Sequence, residues 1–157
     1  MKKRILSAVA LLCMVVCLSG CDSQQWSKTE LESISYDIPA EWETVDSITN
    51  KRHYLSVDGQ IRYVIHTWDL GNIYDTPMDY INQWASLGVS FTSIGDTTID
   101  GEPAYTCTFL SDVGDLNEIY AFNTSDGVYA VIFTDIEGEA FPDDIREHVL
   151  DSIQINH

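Results

Sequence analysis

The feature that most constrains the fold is a six-residue run at 128–133, Val-Tyr-Ala-Val-Ile-Phe, which is apolar throughout. A strand with one face in water alternates apolar and polar residues, whereas a strand covered on both faces is continuously apolar. The run follows Asp126-Gly127, a pair typical of tight hairpin turns because it tolerates positive φ. It therefore predicts a central strand in a sheet with packed layers on both sides.

Other segments have the alternation and turn residues of antiparallel strands. Asp58-Gly59 and Asp100-Gly101 each lie between two such segments, and Pro39 ends the first of them. The segments are residues 34–38, 53–57 with 61–68, 90–99 with 104–110, and 118–123 with 128–134. This arrangement predicts a mostly antiparallel sheet.

Two segments have helical spacing. Asp75 or Thr76 can cap the first, Pro77 suits its first position, and Gly88 is a plausible end. Its expected inner stripe is Met78, Ile81, Trp84 and Ala85, with Trp84 largely buried. The second helix is expected from about Pro142, with an inner stripe of Ile145, Val149 and Ser152. The resulting class is α+β, and helices on opposite faces would make it a three-layer α/β/α sandwich.

The first residues have the pattern of a secretory signal. Three basic residues precede an apolar run of 14 residues at 5–18, which is shorter than the roughly 20 needed to cross a bilayer. Leu18-Ser19-Gly20-Cys21 then resembles a bacterial lipobox. We expect cleavage after Gly20 and lipidation of Cys21, with fatty acyl chains such as palmitate anchoring the protein to the outer face of the membrane.

This interpretation divides the chain into three parts. Residues 1–20 are the signal peptide, residues 21–32 are a polar tether without periodicity, and residues 33–157 are one globular domain. Cleavage would remove three basic residues and no acidic one, which changes the formal charge from −17 to −20. So acidic a surface excludes nucleic acid as a partner and should be repelled by anionic headgroups.

Cysteine use agrees with export. Cys13 and Cys17 lie in the signal and Cys21 receives lipid, so Cys107 is the one free thiol of the mature chain. Alternation puts Cys107 on the same strand face as Tyr105 and Phe109, which favours an inert core cysteine. A reactive thiol or an intermolecular bridge is the alternative.

At four places the chain resembles the PsbP-like family, which includes an extrinsic photosystem II subunit and many bacterial lipoproteins. The motifs are Tyr36-Asp37-Ile38-Pro39-x-x-Trp42, residues 99–105 (Ile-Asp-Gly-Glu-Pro-Ala-Tyr), residues 126–131 (Asp-Gly-Val-Tyr-Ala-Val) and Leu150-Asp151-Ser152-Ile153. The resemblance spans about residues 34–155 and implies an antiparallel sheet between helices with a non-enzymatic binding or assembly role. It implies no site residues, because its motifs are turns, hairpin glycines and a buried helix.

Histidines offer one candidate site. His53 is expected across the hairpin from His66, and Asp69 follows three residues later, so the three could form a partial metal site. Residues three apart on a strand point to opposite faces, which favours ordinary surface or half-buried histidines. His148 is expected to pack on the last helix or to favour its C-terminal dipole.

The densest acidic cluster offers weak metal-ligand candidates in Asp135, Glu137 and Glu139, with Asp143 and Asp144 after them. A calcium loop aligned on these residues has Ala140 in place of its glycine and Arg146 in place of its bidentate glutamate. The prediction is therefore a solvated loop, with a looser cation site as the alternative. Asp112, Asp115 and Glu118 form a thinner cluster of the same kind.

No catalytic motif is recognisable, and no cofactor is expected. The segment 88–92 fails as a nucleophile elbow at its last position, and P-loop, H-E-x-x-H and G-x-G-x-x-G patterns are missing from the sequence. Trp26, Trp42 and Tyr74 could line a groove, although aromatic residues are more often core. Two hypotheses remain: a lipid-anchored binding or assembly module with an unknown protein or small-molecule partner, and a hydrolase with a site built from dispersed residues. A flat apolar patch rimmed by acids favours the first, and a pocket with a histidine and a perturbed carboxylate favours the second.

Overall fold

The computed structural model describes residues 24–48, 50–56 and 61–156. The predicted signal peptide, Cys21 and the Asp58-Gly59 turn lie outside these residues. No helix in the described ranges is both long and apolar enough to cross a bilayer.

The described chain is mostly antiparallel sheet with two helices. In chain order the elements are β1 (Trp26–Leu31), β2 (Ile34–Pro39), β3 (Glu43–Ile48), β4 (Lys51–Leu55), β5 (Tyr63–Gly71), α1 (Pro77–Ser86), β6 (Ser93–Ile99), β7 (Glu102–Leu110), β8 (Leu116–Thr124), β9 (Gly127–Asp135), α2 (Asp143–Ser152) and β10 (Gln154–Ile155). The α+β class is confirmed. Strand β3 was not predicted, and β6 begins three residues later than the alternation suggested.

The strands form two sheets where one was predicted. The larger has seven strands in the order β3-β4-β5-β9-β8-β7-β6, and the smaller has three in the order β1-β2-β10. Strand β9 contains the apolar run and lies between β5 and β8, and its positions after Gly127 are all buried. The predicted central strand is confirmed.

The N-terminal boundary of the domain differs from the prediction. Residues 26–31, expected in a polar tether, form β1 and pair with β2 from Trp26↔Pro39 to Leu31↔Ile34. Leu31 is 1% exposed and belongs to the core, and Glu32 makes the turn with a positive φ of 48°. The folded part therefore begins no later than Trp26, which is earlier than the predicted Ser33.

Helix α1 starts and stops where expected. The Thr76 hydroxyl accepts from the Asp79 N–H at 3.2 Å, the Asp79 carboxylate accepts from the Thr76 N–H at 3.0 Å, and Gly88 follows the helix with a φ of 92°. The predicted stripe is partly wrong, however. Tyr80 and Ile81 are the deeply buried residues, Trp84 is only half-buried, and Ala85 is exposed.

Side chains of β9 alternate between two apolar clusters, as its two-sided burial requires. Tyr129, Val131 and Phe133 belong to a cluster that includes Val149 of α2 and residues of β1, β2 and β10. Val128, Ala130 and Ile132 belong to a second cluster that includes Tyr80 and Ile81 of α1. Val149 is fully buried and Ile145 is partly buried, in agreement with the stripe predicted for the second helix.

Candidate functional site

The acidic cluster after β9 is organised around an arginine. Arg62, just before β5, lies 3.4 Å from Asp135, 3.0 Å from Glu137 and 2.8 Å from Glu139 through three different guanidinium nitrogens. These carboxylates raise the pKa of Arg62, chiefly through the hydrogen bond to Asp135. The three weak metal-ligand candidates are thus brought together, with a guanidinium in the position that a cation would take.

Asp135 holds the conformation of the loop after β9. Its side chain is fully buried and accepts backbone N–H groups from Glu137 at 2.9 Å, Glu139 at 3.2 Å and Ala140 at 2.9 Å. Burial disfavours the charged form, but these donors and Arg62 outweigh it and lower the pKa of Asp135. Within the described part of the chain, no group of three or more histidine, cysteine or acidic residues could hold a metal ion.

The thinner acidic cluster does not converge. Glu118 forms an ion pair with Arg146 of α2 at 3.1 Å, and Asp143 pairs with the same guanidinium. Asp115 closes the β7–β8 turn through its backbone, which bonds with Ser111 in both directions. Asp112 is exposed at the tip of that turn. Glu118 therefore contacts helix α2 through Arg146, and Asp115 stabilises the β7–β8 turn.

His53 and His66 lie opposite each other on β4 and β5, as predicted. Their rings are 4.5 Å apart and nearly perpendicular, and burial together with His53 lowers the pKa of His66 to about 4. His53 Nε2 and His66 Nδ1 are buried without a hydrogen-bond partner among the described residues. The Asp69 side chain accepts a hydrogen bond from the Gly71 N–H at 2.8 Å. Asp69 and His66 are three residues apart on β5 and point to opposite faces of the sheet, so Asp69 does not join the histidine pair.

The remaining sequence candidates are packed into the structure. The His148 ring stacks on Trp26 at 3.7 Å, and its Nε2 lies 3.3 Å from an oxygen of Asp37. Trp42 packs near Phe141 with the first cluster, whereas Tyr74 packs on Tyr80 with the second. The three aromatic residues proposed for a groove therefore do not share one.

Cys107 is fully buried in the second cluster. Burial raises its pKa to about 12, far above the range of a reactive thiolate. The predicted position of Cys107 in the core is confirmed.

The surface feature that the sequence did not reveal is a group of exposed apolar side chains at one end of the large sheet. The register pairs Leu110 with Leu116, Leu116 with Asp135 and Asp135 with Tyr63, so β5, β7, β8 and β9 all have an end here. The apolar residues, hereafter the apolar end, are Ile61, Leu87, Leu110, Val113 and Ile136, with exposures from 42% to 82%. They come from four segments of the chain, and only the fold collects them.

Contacts between loops hold these segments beside one another. The Ile136 N–H donates to the Arg62 carbonyl at 3.0 Å, which holds the loop after β9 beside the segment containing Ile61. A Cβ added at Gly138 would lie 2.3 Å from the Gly114 carbonyl oxygen and 3.7 Å from Leu110 Cδ2. The loop after β9 and the β7–β8 turn are therefore in direct contact, with room for no side chain at Gly138.

A pocket joins this surface to helix α1. It has a volume of about 370 Å³ and a mixed lining, apolar from Trp84, Leu87, Val89, Phe109 and Leu110 and polar from Gly88, Ser90, Ser111 and Asp112. Glu137 and Glu139 are exposed on the neighbouring loop. The arrangement is an apolar surface with a side-chain-sized pocket and a carboxylate rim.

Comparison with solved structures shows a known fold. The solution structure of cyanobacterial PsbP from Synechocystis sp. PCC 6803 matches with a TM-score of 0.58 and 14% identity over 87% of this chain and 95% of that one. The fold is PsbP-like. A crystal structure from Bacteroides thetaiotaomicron VPI-5482 matches with a TM-score of 0.59 and 11% identity over 85% of this chain, which spans about half (49%) of that protein. No protein-family model matches the sequence, and neither does any curated protein.

On this PsbP-like fold the apolar end and the β8–β9 hairpin lie at opposite ends of the large sheet. Thr124 and Gly127, at the hairpin, are paired at one limit of the β8–β9 ladder, and Leu116 and Asp135 are paired at the other. Exposed Ile73 follows β5 at the hairpin end, because Gly71 pairs with Val128. It offers a comparison residue of similar exposure.

Proposed function

We propose that this chain is a bacterial PsbP-like lipoprotein, cut after Gly20 and lipidated at Cys21, which acts as a non-catalytic binding or assembly module on the outer face of the membrane. The basic, apolar and lipobox segments at 1–21 support export and anchoring. The PsbP-like fold of the described residues is compatible with such a role, which the family resemblance in the sequence implies.

The observation that carries the binding role is the apolar end. Apolar side chains gathered on one exposed surface are unfavourable in water and typically mark an interaction site. Here the patch adjoins a pocket of about 370 Å³ and has carboxylates at its margin, the arrangement expected of a binding module.

A pocket with a histidine and a perturbed carboxylate would favour the hydrolase hypothesis instead. Among pockets formed by described residues, the 370 Å³ pocket has no histidine in its lining, and neither do two further pockets near Ile73 and Tyr74. The carboxylate with a shifted pKa, Asp135, is engaged by backbone donors and Arg62. These arrangements favour binding over turnover.

We further infer that the fold is a three-layer α/β/α sandwich. The alternation of β9 residues between the cluster containing Val149 of α2 and the cluster containing Ile81 of α1 supports helices on opposite faces of the large sheet. The small sheet would share a face with α2, since Ile34, Tyr36 and Ile155 belong to the same cluster as Val149.

Anchoring is tested by Cys21→Ala with Cys17→Ala as the matched control. We expect Cys21→Ala to accumulate as precursor or soluble protein and Cys17→Ala to enter the detergent phase like the wild type, because only the lipobox thiol carries the lipid. Crosslinking in native membranes then tests binding, and a partner should be recovered with the wild type and lost with Cys21→Ala. Normal detergent partitioning of Cys21→Ala would refute the proposed function.

A further inference from the structure

We propose that the apolar end docks a basic extracytoplasmic segment of a membrane protein, with one apolar side chain of that segment seated in the pocket beside Leu87 and Leu110. This inference rests on the proposed lipid anchor, and it adds where the partner lies and what chemistry it has. Three properties of the described residues lead to it.

The first property is the position of the chain start relative to the apolar end. Strand β1 begins at Trp26 opposite Pro39, and the Gln25 carbonyl accepts the Ala40 N–H at 2.9 Å. Trp42 follows Ala40 closely in the chain, and its ring lies 6.2 Å from the ring of Phe141. The Phe141 ring lies 5.3 Å from the ring of Tyr63 at the start of β5. The β1–β2 turn lies at the other end, where Ser33 bonds Thr124 and Tyr129. The chain therefore enters the domain at the same end as the apolar surface.

The second property is the short distance along the chain from the proposed anchor. Because β1 occupies residues that the sequence assigned to a tether, only four residues separate Cys21 from Trp26. The five residue steps from Cys21 to Trp26 span at most about 18 Å whatever their conformation. The apolar end is thus held toward the bilayer and close to it, where an extracytoplasmic part of a membrane protein is the nearest protein surface.

The third property is charge. The mature chain would have a formal charge of −20, and Asp112, Glu137 and Glu139 are exposed around the apolar side chains. Arg62 offsets part of the charge of one side of this rim. Anionic lipid headgroups would be repelled by such a rim, whereas lysine or arginine side chains would be attracted. The rim therefore favours a basic protein segment over the membrane surface itself.

The pocket sets the remaining requirement. Its volume of about 370 Å³ and the apolar part of its lining, from Trp84, Phe109 and Leu110, suit a bulky apolar side chain, whereas Asp112 in the same lining suits a basic neighbour of that side chain. Binding energy at interfaces is concentrated in such anchors, which enter pockets near the centre and are surrounded by polar contacts. The expected partner motif is thus an apolar or aromatic residue flanked by lysine or arginine.

A photocrosslinking experiment tests the inference on the full lipidated protein in native membranes. Benzoylphenylalanine replaces Val113, which is 82% exposed at the apolar end, or Ile73, which is 74% exposed at the opposite end. We expect Val113 to give one adduct with a membrane protein, mapped by mass spectrometry to an extracytoplasmic segment rich in lysine or arginine, and Ile73 not to give it. Raising the salt from about 0.05 M to about 0.5 M should reduce the yield several-fold, because the attraction is screened.

Charge variants provide the matched control. Asp112→Asn at the rim should reduce the Val113 adduct, whereas Asp126→Asn, in the hairpin at the opposite end, should leave it unchanged. Adducts from Val113 to phospholipid, to a second copy of the chain or to an acidic segment would overturn the inference, as would equal adducts from both positions or none. If Cys21 is lipidated but the partner crosslinks elsewhere on the domain, the proposed function stands and this inference fails.

Discussion

Asp135→Asn is expected to destabilise the protein strongly although the two side chains have the same shape. One carboxylate oxygen accepts hydrogen bonds from the Glu137 N–H and from Arg62 Nε. The other accepts hydrogen bonds from the Glu139 and Ala140 N–H groups and from Arg62 Nη2. The asparagine side chain has one acceptor oxygen and one NH₂ group, which can only donate. In either orientation the NH₂ group therefore faces N–H donors that it cannot accept from. At least one backbone N–H loses its acceptor, and the guanidinium loses its buried counter-charge.

The magnitude follows from these lost bonds. A hydrogen bond to a charged group contributes about 1.5–3 kcal/mol, and an unsatisfied buried donor costs a similar amount, so we expect a loss of about 3 kcal/mol. Urea unfolding at neutral pH, followed by tryptophan fluorescence, measures this as a lower midpoint with an unchanged slope. The matched control is Glu139→Gln, which removes a carboxylate from the same Arg62 but at an exposed position.

Equal losses in the two variants, or a loss below about 1 kcal/mol for Asp135→Asn, would refute the reasoning. The pH dependence gives a second check. Because the pKa of Asp135 is lowered on folding, its stabilisation is present above the ordinary aspartate pKa and is lost as the pH falls through the folded value. Asp135→Asn should lack that acid-dependent loss.

Two further predictions concern the α1 side of the large sheet. The pKa of His66 is about 4 in the folded state against about 6.5 unfolded, so the unfolded chain binds the proton first and stability falls as the pH drops from 6.5 toward 4. Between pH 7.5 and pH 5 the wild type should lose about 2 kcal/mol more than His66→Gln, and parallel pH profiles would contradict this. Trp84→Ala should cost about 1–3 kcal/mol, because the ring is half-buried against Phe109, whereas Tyr80→Ala should cost more in the same urea assay.

Local patterns were sufficient for much of the fold. Residues 128–133 are buried on both faces, and the period of two in 61–68 places Tyr63 and Ile65 in the first cluster and Trp68 in the second. These signals are carried by neighbouring residues and need no knowledge of distant partners. The cap of α1 at Thr76 is equally local.

The errors occur where burial depends on distant segments. Strand β1 is mostly polar because only Leu31 is fully buried, with Trp26 and Thr29 partly so, which leaves no alternation to detect. The predicted stripe of α1 was partly wrong, because Trp84 lines the pocket and stays half-exposed while Tyr80 is deeply buried in the second cluster. Helical spacing alone cannot distinguish these two positions.

The candidate site was the least predictable feature. Asp135 was identified as an acid, but its partner Arg62 is 73 residues away and comes into contact only through the β5–β9 pairing. The exposed residues of the apolar end are likewise single apolar positions in separate loops. Isolated exposed apolar residues are ordinary in any sequence, and only their convergence in the fold makes them informative.

The placement of β1 also has a mechanical consequence. Tension that reached the domain through residue 24 would pull on the first residue of β1, parallel to the strand. All six positions of β1 are paired with β2. Force in that direction shears the ladder as a unit, whereas force across it would break the hydrogen bonds one after another. Strand β2 is itself held by β10 and by the Ser152 hydroxyl, which accepts the Asp37 N–H at 2.8 Å. Under the proposed anchoring, a load along β1 would have to break these paired positions together.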